Sequence, residues 1–389
     1  MTPRILIIAG SDSGGGAGIQ ADIKTVTMLG AHAMTAITAL TAQNTLGVQG
    51  VMPVPTDFVC AQIDACISDI GVDAVKIGMI GSAETAHAVA DRLESLDVPV
   101  VFDPVMVATS GATLADPATI AAFARLMRIA TVVTPNTPEL DALGGEAAVL
   151  AHGCRLLAKG GHVEGADVVD RLLGPDGEIA RWSAPRIETT STHGTGCTLA
   201  SAVATLLGAG RSLPHAVEDA RTFVRLALRD ASGLGRGHGP MGHQAVRLDL
   251  GADARLNQVT LGSTDHAASR GFYTMLGLRQ IVESADHYAR FEAPGGATLS
   301  IERDATPTVF FECDDLDATV ARLQAAGLVF DTLPADRGWL WREARLTDPA
   351  GNMICLYHAG ENRRFPPWRL SDASPETRET LPCPRRRGG

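Results

Sequence analysis

The chain has 389 residues, 45% of them hydrophobic and 20% charged, with a formal net charge of −11. This length exceeds what one hydrophobic core usually spans, so two domains are expected. The negative charge excludes nucleic acid as the main partner, because phosphate binding needs a basic face. Seven scattered cysteines without a C-x-x-C pair indicate a reducing compartment and neither a disulfide framework nor a zinc site.

The first apolar run, Ile5 to Ala9, is too short for the hydrophobic region of a signal peptide. No segment approaches the length of a membrane span. The sequence therefore predicts a cytoplasmic protein without membrane contact.

Short apolar runs alternate with helix-period segments through the first 160 residues. The runs predict buried strands at 4–10, 33–41, 74–79, 98–105 and 130–134. This alternation is typical of an α/β fold, in which helices cover both faces of a mostly parallel sheet. Ligands of such folds bind at the carboxyl ends of the strands, so the residues that follow each strand are the candidates for a site.

A glycine-rich loop, GSDSGGGAGIQAD (10–22), follows the first strand. Residues 16–21 satisfy G-x-G-x-x-A, but no acidic residue lies about twenty positions further on, which argues against a dinucleotide site. There is no G-K-[ST] either, so the loop is not a P-loop. Since Asp12 and Asp22 would repel phosphate, we expect the loop to bind a neutral polar substrate, with Asp22 as acceptor. The alternative is a tight turn in which glycine is only steric.

Four later strand ends favour nucleotide chemistry. Asp103 ends one strand, Asn136 and Glu139 follow the next in an N-x-x-E arrangement, and Lys159 ends a third. Carboxylates suit Mg²⁺, and a lysine suits phosphate oxygens. HGTGC (193–197) then places backbone N–H groups at a helix N-terminus, where an anion is favoured. Singly, each feature could be a helix cap or a solvated charge; together they predict a nucleotide site.

A nearly continuous set of strings between residues 4 and 243 resembles the hydroxymethylpyrimidine/phosphomethylpyrimidine kinases of thiamine biosynthesis, which belong to the ribokinase-like superfamily. The strings are IAGSDSGGGAGIQADIKT, ITALTAQNTLGVQGV, DAVKIGMIGS, VFDPVM, TPNTPE, KGGH, STHGTGCTLASA and GHGPMGH. The resemblance implies a three-layer α/β/α fold and a kinase that uses ATP and Mg²⁺. It also implies two phosphorylations of 4-amino-5-hydroxymethyl-2-methylpyrimidine, first of the hydroxymethyl group and then of the monophosphate. Kinases of this superfamily are often dimers, so the resemblance also implies a homo-oligomer.

The alternatives are a pyridoxal kinase-like enzyme, which would act on a similar heteroaromatic –CH₂OH, and a non-catalytic protein that binds pyrimidine or nucleotide. The combined presence of Cys197, Glu139, Asp103 and Lys159 argues against the non-catalytic alternative.

The resemblance also implies roles for single residues, by position. The pyrimidine pocket would comprise Gly10, Asp22, Gln43, Met79 and Val105. ATP and its phosphates would contact Asn136, Lys159 and Thr192, and Mg²⁺ would bind Asp103 and Glu139. Gly194, Thr195 and Gly196 would form the anion hole. Cys197 occupies the catalytic position. The helix start acts to lower the pKa of its thiol and a γ-phosphate in the same turn would raise it, so the prediction is a thiol poised between its two forms that takes the hydroxymethyl proton late. Residues 146–153 (EAAVLAHG) are shorter than the family norm, which predicts a trimmed surface helix.

Two βαβββ copies follow between residues 255 and 360, with Asp265 and Asp315 opening the helix of each copy. FYTMLGL and LTDPAGNMICLY resemble the vicinal oxygen chelate superfamily, which includes glyoxalases, ring-cleaving dioxygenases and bleomycin-resistance proteins. Its metal-ligand positions fall on Gln258, Ser300, Thr308 and Cys355. Since only Gln258 is a plausible ligand, we expect no metal here. This argues against a lyase or dioxygenase and favours a module for ligand binding or oligomerisation.

The predicted organisation is a kinase domain at 1–245, a linker at 246–254, an α+β domain of paired βαβββ modules at 255–360, and a C-terminal strap with a disordered tail at 361–389. In the strap, Arg363 and Arg364 lie beside Phe365 and Trp368. These residues could clasp an anion or cover their own barrel; the second is the prediction.

Overall fold

A computed structural model describes residues 2–107, 111, 114–161, 165–246, 254–293, 296–349 and 351–370. The chain divides into two compact units, Met1–Leu250 and Gly251–Gly389. Most of the predicted linker, residues 247–253, and the predicted tail from residue 371 lie outside the described residues. The finer domain boundaries therefore stay a prediction.

The first unit contains ten strands and eight α-helices among its described residues. The strands are β1 (Arg4–Ala9), β2 (His32–Ile37), β3 (Ala39–Asn44), β4 (Gly47–Pro53), β5 (Ala74–Ile77), β6 (Val100–Phe102), β7 (Val132–Val133), β8 (Arg155–Ala158), β9 (Asp167–Gly174) and β10 (Gly177–Pro185). The helices are α1 (Gly18–Met28), α2 (Thr56–Asp69), α3 (Ala83–Leu93), α4 (Pro117–Ile129), α5 (Thr137–Ala142), α6 (Glu146–Leu150), α7 (Thr195–Gly208) and α8 (Leu213–Arg229).

The main sheet has the order β10-β9-β8-β7-β6-β5-β1-β2. Its strands pair in parallel from β2 to β8, and β9 and β10 add an antiparallel edge. Alternate residues of β1 face opposite layers: Leu6 and Ile8 pack in the core with α2, α3 and α4, whereas Ile5 approaches α7 at Gly208. The expected three-layer α/β/α arrangement is confirmed, and it brings the strand ends that follow β6, β7 and β8 to one edge.

The predicted strand at 33–41 is divided in the structure. β2 ends at Ile37, the buried Thr38 donates from Oγ1 to the Met79 carbonyl at 2.6 Å, and β3 then leaves the main sheet. β3 pairs antiparallel with β4 in a separate hairpin. The sequence prediction failed here because apolar and β-branched residues continue through the break without a turn signal. The hairpin matters because it carries Gln43.

The short helix α6 (Glu146–Leu150) occupies the stretch where a trimmed helix was expected. None of the helices in the described part of the chain combines the length and the apolar character that crossing a membrane requires.

The second unit contains the predicted βαβββ repeat. Its elements are β11 (Arg255–Ser263), α9 (His266–Met275), β12 (Arg279–Ser284), β13 (Tyr288–Glu292), β14 (Thr298–Arg303), β15 (Thr308–Glu312), α10 (Leu316–Ala325), β16 (Thr332–Asp336), β17 (Arg342–Thr347) and β18 (Met353–His358). Asp265 and Asp315 cap the two helices by accepting hydrogen bonds from the backbone N–H groups of Ala268 and Ala318.

These strands form one sheet in the order β12-β13-β14-β11-β15-β18-β17-β16. One face packs apolar side chains with the helices, such as Phe291 with Tyr273 of α9 and Leu356 with Val320 of α10. The other face carries polar side chains, among them Gln258 and Ser300.

Candidate active site

The first turn of α7 lies directly against the glycine loop (residues 10–18). Gly194, the N-cap of α7, has φ +84°, and a Cβ on it would lie 1.9 Å from the Gly16 carbonyl oxygen. Only glycine fits this conformation and this approach. The sequence H-G-T-G-C therefore begins a helix as predicted, with the N–H groups of Gly196 and Cys197 in its first turn, while the Thr195 N–H donates to the Thr192 carbonyl at 3.4 Å.

A buried ion pair faces this turn. Lys159 Nζ donates to Asp103 Oδ1 at 2.9 Å, and Thr134 Oγ1 donates to the same oxygen at 3.0 Å. A Cβ on Gly196 would lie 3.2 Å from Lys159 Nζ and 3.6 Å from Asp103 Oδ2. Burial acts to lower the pKa of Lys159, but the carboxylates of Asp103 and Glu139 raise it above its ordinary value. Lys159 is therefore a permanent cation beside the helix N-terminus.

Glu139 and Asn136 form a capping box at the start of α5. The Asn136 N–H donates to Glu139 Oε2 at 2.8 Å, and the Glu139 N–H donates to Asn136 Oδ1 at 2.9 Å. Burial raises the pKa of Glu139 to about 7, with Lys159 lowering it and Asp103 raising it. Both residues therefore act as helix caps, which was one of the alternatives from the sequence. The same hydrogen bonds hold the Glu139 carboxyl beside Lys159.

The carboxylates of Asp103 and Glu139 are the candidate ligands for a divalent cation at this edge of the main sheet. Among the described residues, no group of three or more histidine, cysteine or acidic side chains could hold a metal by itself. Mg²⁺ typically binds through one or two carboxylates, and water and substrate phosphates complete its shell. The residues therefore fit a magnesium ion that arrives with a nucleotide, whereas they do not form a preformed cage.

Cys197 is partly exposed in the first turn of α7. Burial raises the pKa of its thiol to about 11, while the nearby Lys76 ammonium acts to lower it. The expectation of a thiol poised between its two forms is wrong for the protein without nucleotide, because desolvation and the carboxylates of Asp22 and Asp103 outweigh Lys76. The thiol is neutral at pH 7.

Asp22 lies beneath this turn, and its side chain is completely buried. Lys76 Nζ donates to its Oδ2 at 2.8 Å, and Ser201 Oγ donates to its Oδ1 at 2.6 Å. Both oxygens are thus engaged inside the protein. The predicted contact of Asp22 with a substrate stays a prediction, and these surroundings favour a structural task, which is to balance the charge of Lys76.

Lys76 was missed from the sequence, although a lysine inside the apolar run AVKIGM is itself a signal. A charge in a fully buried strand requires a buried partner. Burial acts to lower the pKa of Lys76, but Asp22 raises it above its ordinary value, so Lys76 stays protonated.

The substrate-side residues gather around the glycine loop. A Cβ on Gly10 would lie 2.2 Å from Met79 Cε, so the two predicted pocket residues are in contact. The Val105 N–H donates to the Asp103 carbonyl at 2.8 Å, which places Val105 beside the ion pair. Thr192, which was predicted to contact the nucleotide, lies 3.3 Å from His238 Nδ1 through its Oγ1.

His193 was also missed, although it stands in the same H-G-T-G-C string. Its Nε2 lies 2.9 Å from Asp12 Oδ2 and 3.1 Å from Gln43 Nε2. The Asp12 carboxylate also accepts hydrogen bonds from the N–H groups of Gly14, Gly16 and Ala17. One histidine therefore connects the glycine loop, the β3–β4 hairpin and the approach to α7.

In the second unit, the side chains at the metal-ligand positions bond to one another and to their neighbours. Gln258 Nε2 donates to Ser300 Oγ at 2.9 Å, which in turn lies 2.8 Å from the Tyr288 hydroxyl. Thr308 Oγ1 donates to the Thr306 carbonyl at 3.1 Å, and Cys355 is fully buried. The expected absence of a metal stays a prediction.

The strap (residues 361–370) lies on its own domain. Arg364 Nε pairs with Glu292, Arg363 Nη1 contacts Thr298 Oγ1 at 3.4 Å, and the Leu370 N–H donates to the Ile281 carbonyl at 2.9 Å. These contacts favour the prediction that the strap covers the sheet of its own domain. They give no support to the alternative that its arginines bind an anion.

The parallel sheet, the anion-binding helix start and the strand-end carboxylates together are typical of an α/β phosphotransferase. Residues 12–242, more than half of the chain, match the family model described as phosphomethylpyrimidine kinase. The chain therefore belongs to the phosphomethylpyrimidine kinase family, and the resemblance inferred from the sequence is confirmed. Residues 255–356 match the glyoxalase/bleomycin resistance protein/dioxygenase superfamily.

Among curated relatives, a hydroxymethylpyrimidine/phosphomethylpyrimidine kinase of Streptomyces coelicolor is 49% identical over 256 residues, covering 62% of this chain and 94% of its own. A thiamine biosynthesis bifunctional protein of Geobacter sulfurreducens is 50% identical over 262 residues, or 63% of this chain. The match spans 53% of that protein and 37% of a multifunctional relative in Corynebacterium efficiens.

A solved ADP complex of Bacillus subtilis pyridoxal kinase is 32% identical with a TM-score of 0.59, covering 64% of this chain and all of that one. A phosphomethylpyrimidine kinase of Clostridium difficile is 34% identical with a TM-score of 0.50, covering 58% and 98% of the two chains.

Proposed function

We propose that the first unit phosphorylates 4-amino-5-hydroxymethyl-2-methylpyrimidine with ATP, and then its monophosphate to the diphosphate, in thiamine diphosphate biosynthesis. The observation that carries this proposal is the first turn of α7 facing the Lys159–Asp103 pair, with Glu139 beside it. The S. coelicolor relative is named as a kinase for both steps.

The anion hole would comprise Gly194, Thr195 and Gly196 at the start of α7, whose backbone N–H groups would bind the transferring phosphoryl group. Lys159 would contact its oxygens, and Asn136 and Thr192 would border the nucleotide. Asp103 and Glu139 would hold Mg²⁺, which supplies neutralisation of the phosphate charge when bound. ADP and an ATP analogue occupy related pyridoxal kinases.

Because the Cys197 thiol is neutral, its predicted role as a base needs revision. A thiol with a pKa of about 11 is not a ready base at pH 7. A loose phosphoryl transfer requires little base strength, because the acceptor hydroxyl loses its proton late. We propose that Cys197 orients the hydroxymethyl oxygen by hydrogen bonding.

The deciding experiment measures ADP release by the full chain with and without the pyrimidine. We expect pyrimidine-dependent turnover in the wild type and a loss on the order of 100-fold or more in Asp103→Asn, since removing a group that stabilises transferring charge has effects of this size. Glu84→Gln, an exposed carboxylate on α3, is the matched control. Wild type without turnover would refute the kinase assignment, and full activity in Cys197→Ala would refute only the role of the thiol.

A pyridoxal kinase-like activity is the second candidate, because several similar solved structures are pyridoxal kinases. Turnover of pyridoxal and the pyrimidine under the same conditions separates the two. ATP or pyrimidine binding without any turnover would instead support the non-catalytic alternative.

For the second unit we propose a metal-free module for ligand binding or oligomerisation. Its predicted metal positions hold Gln258, Ser300, Thr308 and Cys355: the two hydroxyls are poor ligands for a divalent ion, Gln258 is bonded to Ser300, and the buried Cys355 thiol donates to the Leu356 carbonyl. Metal analysis of the purified chain tests this, and a stoichiometric ion that survives dialysis would overturn it. We also propose a cytoplasmic homo-oligomer, whose state light scattering measures.

A further inference from the structure

The contacts of His193 contain a conflict of hydrogen-bond donors. Burial acts to raise the pKa of Asp12, but His193 and the backbone N–H groups hold it below its usual range. Asp12 is therefore a carboxylate at neutral pH and can only accept. The Nε2 of His193, 2.9 Å away, must carry the proton. An Nε2–H has no lone pair left for the Gln43 amide N–H group that faces it at 3.1 Å.

A second conflict lies on the other side of the same amide. Thr41 Oγ1 donates to the Ser11 carbonyl at 2.9 Å, which uses its one hydrogen. Gln43 Oε1 lies 3.3 Å from that hydroxyl and would need the same hydrogen. A half-turn of the carboxamide exchanges its nitrogen and oxygen. Oε1 and Asp12 Oδ2 then share the Nε2–H of His193 as the two acceptors of a three-centre bond, and the amide nitrogen donates to Thr41 Oγ1, so no donor faces another donor.

We propose that the Asp12–His193 pair fixes the carboxamide of Gln43 with Oε1 toward His193, and that this fixed order of acceptor and donor sets which heterocyclic edge the site accepts. His193 is thus a positioning residue that acts through Gln43. The proposal rests on the proposed function for its substrate, and on the contacts of Asp12, His193 and Thr41 for the orientation of the amide.

Its surroundings explain how the pair can hold that orientation. His193 is 8% exposed, and its backbone N–H donates to the Gly239 carbonyl at 3.1 Å. A Cβ on Gly16 would lie 2.6 Å from Cδ2 of the imidazole ring. The ring is therefore wedged against the glycine loop. The backbone of Gln43 is held as well, since its N–H donates to Ser13 Oγ at 2.7 Å.

The fixed amide leaves one lone pair and one N–H for a ligand. An aminopyrimidine offers the complementary edge, which is an amino group that donates next to a ring nitrogen that accepts. The corresponding 4-oxo compound reverses this pattern, because its carbonyl accepts and its neighbouring ring N–H donates. A locked amide rejects that compound, whereas an amide free to turn fits either edge.

The first test reads the orientation without catalysis. Nitrogen-15 NMR of the full chain should show His193 protonated at Nε2 near pH 7, and a through-bond coupling should link that nitrogen to Asp12 or Gln43 as acceptor. A lone-pair signal from Nε2 would overturn the assignment of the amide.

The second test compares kcat/KM for the 4-amino substrate and its 4-oxo analogue. We expect the wild type to prefer the amino compound on the order of 100-fold, because the wrong edge leaves buried polar groups unpaired. His193→Phe should reduce this preference to a few-fold, with a larger change in KM than in kcat. His215→Phe, an exposed histidine on α8, should leave it unchanged.

The outcomes separate the two levels of the argument. An unaltered preference in an active His193→Phe protein would overturn the positioning role. If His193→Phe misfolds, Asp12→Asn supplies the second variant, in which a changed Nε2 signal and a reduced preference are expected and an unaltered preference overturns the proposal. Absence of turnover in the wild type would instead overturn the proposed function, while the NMR result would stand by itself.

Discussion

The buried pair of Lys76 and Asp22 gives the sharpest prediction about stability. Both side chains are completely buried, and Nζ and Oδ2 lie 2.8 Å apart. Lys76→Met leaves a carboxylate without its countercharge, which typically costs about 3–5 kcal/mol. Lys76→Met with Asp22→Asn removes both charges and keeps a partner for Ser201, so the double variant should recover more than half of that loss.

Hydrogen exchange of the peptides that contain β1 and β5 measures this free energy within the first unit, which avoids assuming that the two units unfold together. Arg4→Met is the matched control, since solvent screens the half-exposed Arg4–Asp73 pair and its removal should cost far less. The reasoning is refuted if Lys76→Met costs no more than Arg4→Met. Full recovery of kinase activity in the double variant would show that Lys76 has no electrostatic task near Cys197.

Three further predictions follow from shifted pKa values. Because burial raises the pKa of Cys197 to about 11, its alkylation by iodoacetamide should accelerate about 10-fold per pH unit above 7, and a plateau near pH 7, seen by mass spectrometry, would contradict this. Raising the pKa of Glu139 from 4.5 to about 7 corresponds to about 3 kcal/mol of folding stability, which is present below pH 4.5 and lost as pH rises through 7. Hydrogen exchange should show this loss of stability in the wild type and not in Glu139→Gln. Burial acts to raise the pKa of Glu292, but Arg364 and Arg279 lower it to about 2. Glu292→Gln should therefore destabilise the second unit by about 3 kcal/mol at pH 7 and by little at pH 2, where the wild type has lost the same contribution. Equal thermal unfolding of the variant and the wild type at pH 7 would contradict this prediction.

The parts of the site that the sequence could predict are those determined by local chain order. Asp103, Glu139 and Lys159 follow strands directly, and parallel strands bring their carboxyl ends to one edge. The caps at Asp265 and Asp315 are local for the same reason, because a side chain three residues away supplies the bond.

The parts that could not be predicted depend on partners distant in sequence. Asp22 and Lys76 are 54 positions apart, and His193 lies 150 positions from Gln43. No local period reports such a pairing. The pKa of Cys197 failed for a related reason, since the helix start is a local feature but the desolvation that outweighs it comes from the tertiary packing.

The distribution of charge suggests the order of binding at this site. Lys159 is paired with Asp103, and Lys76 with Asp22, so neither lysine brings an uncompensated positive charge to the first turn of α7. Glu139 lies beside the Lys159–Asp103 pair, and its ionisation is unfavourable because the carboxyl is buried, with Asp103 adding to this effect and Lys159 opposing it. A nucleotide that arrived alone would add negative charge where the free N–H groups of α7 are the main attraction. A divalent cation that binds with the nucleotide offsets that charge and favours the ionised form of Glu139. The metal and the nucleotide are therefore expected to bind together, and nucleotide affinity measured without Mg²⁺ should be weaker by at least about 10-fold.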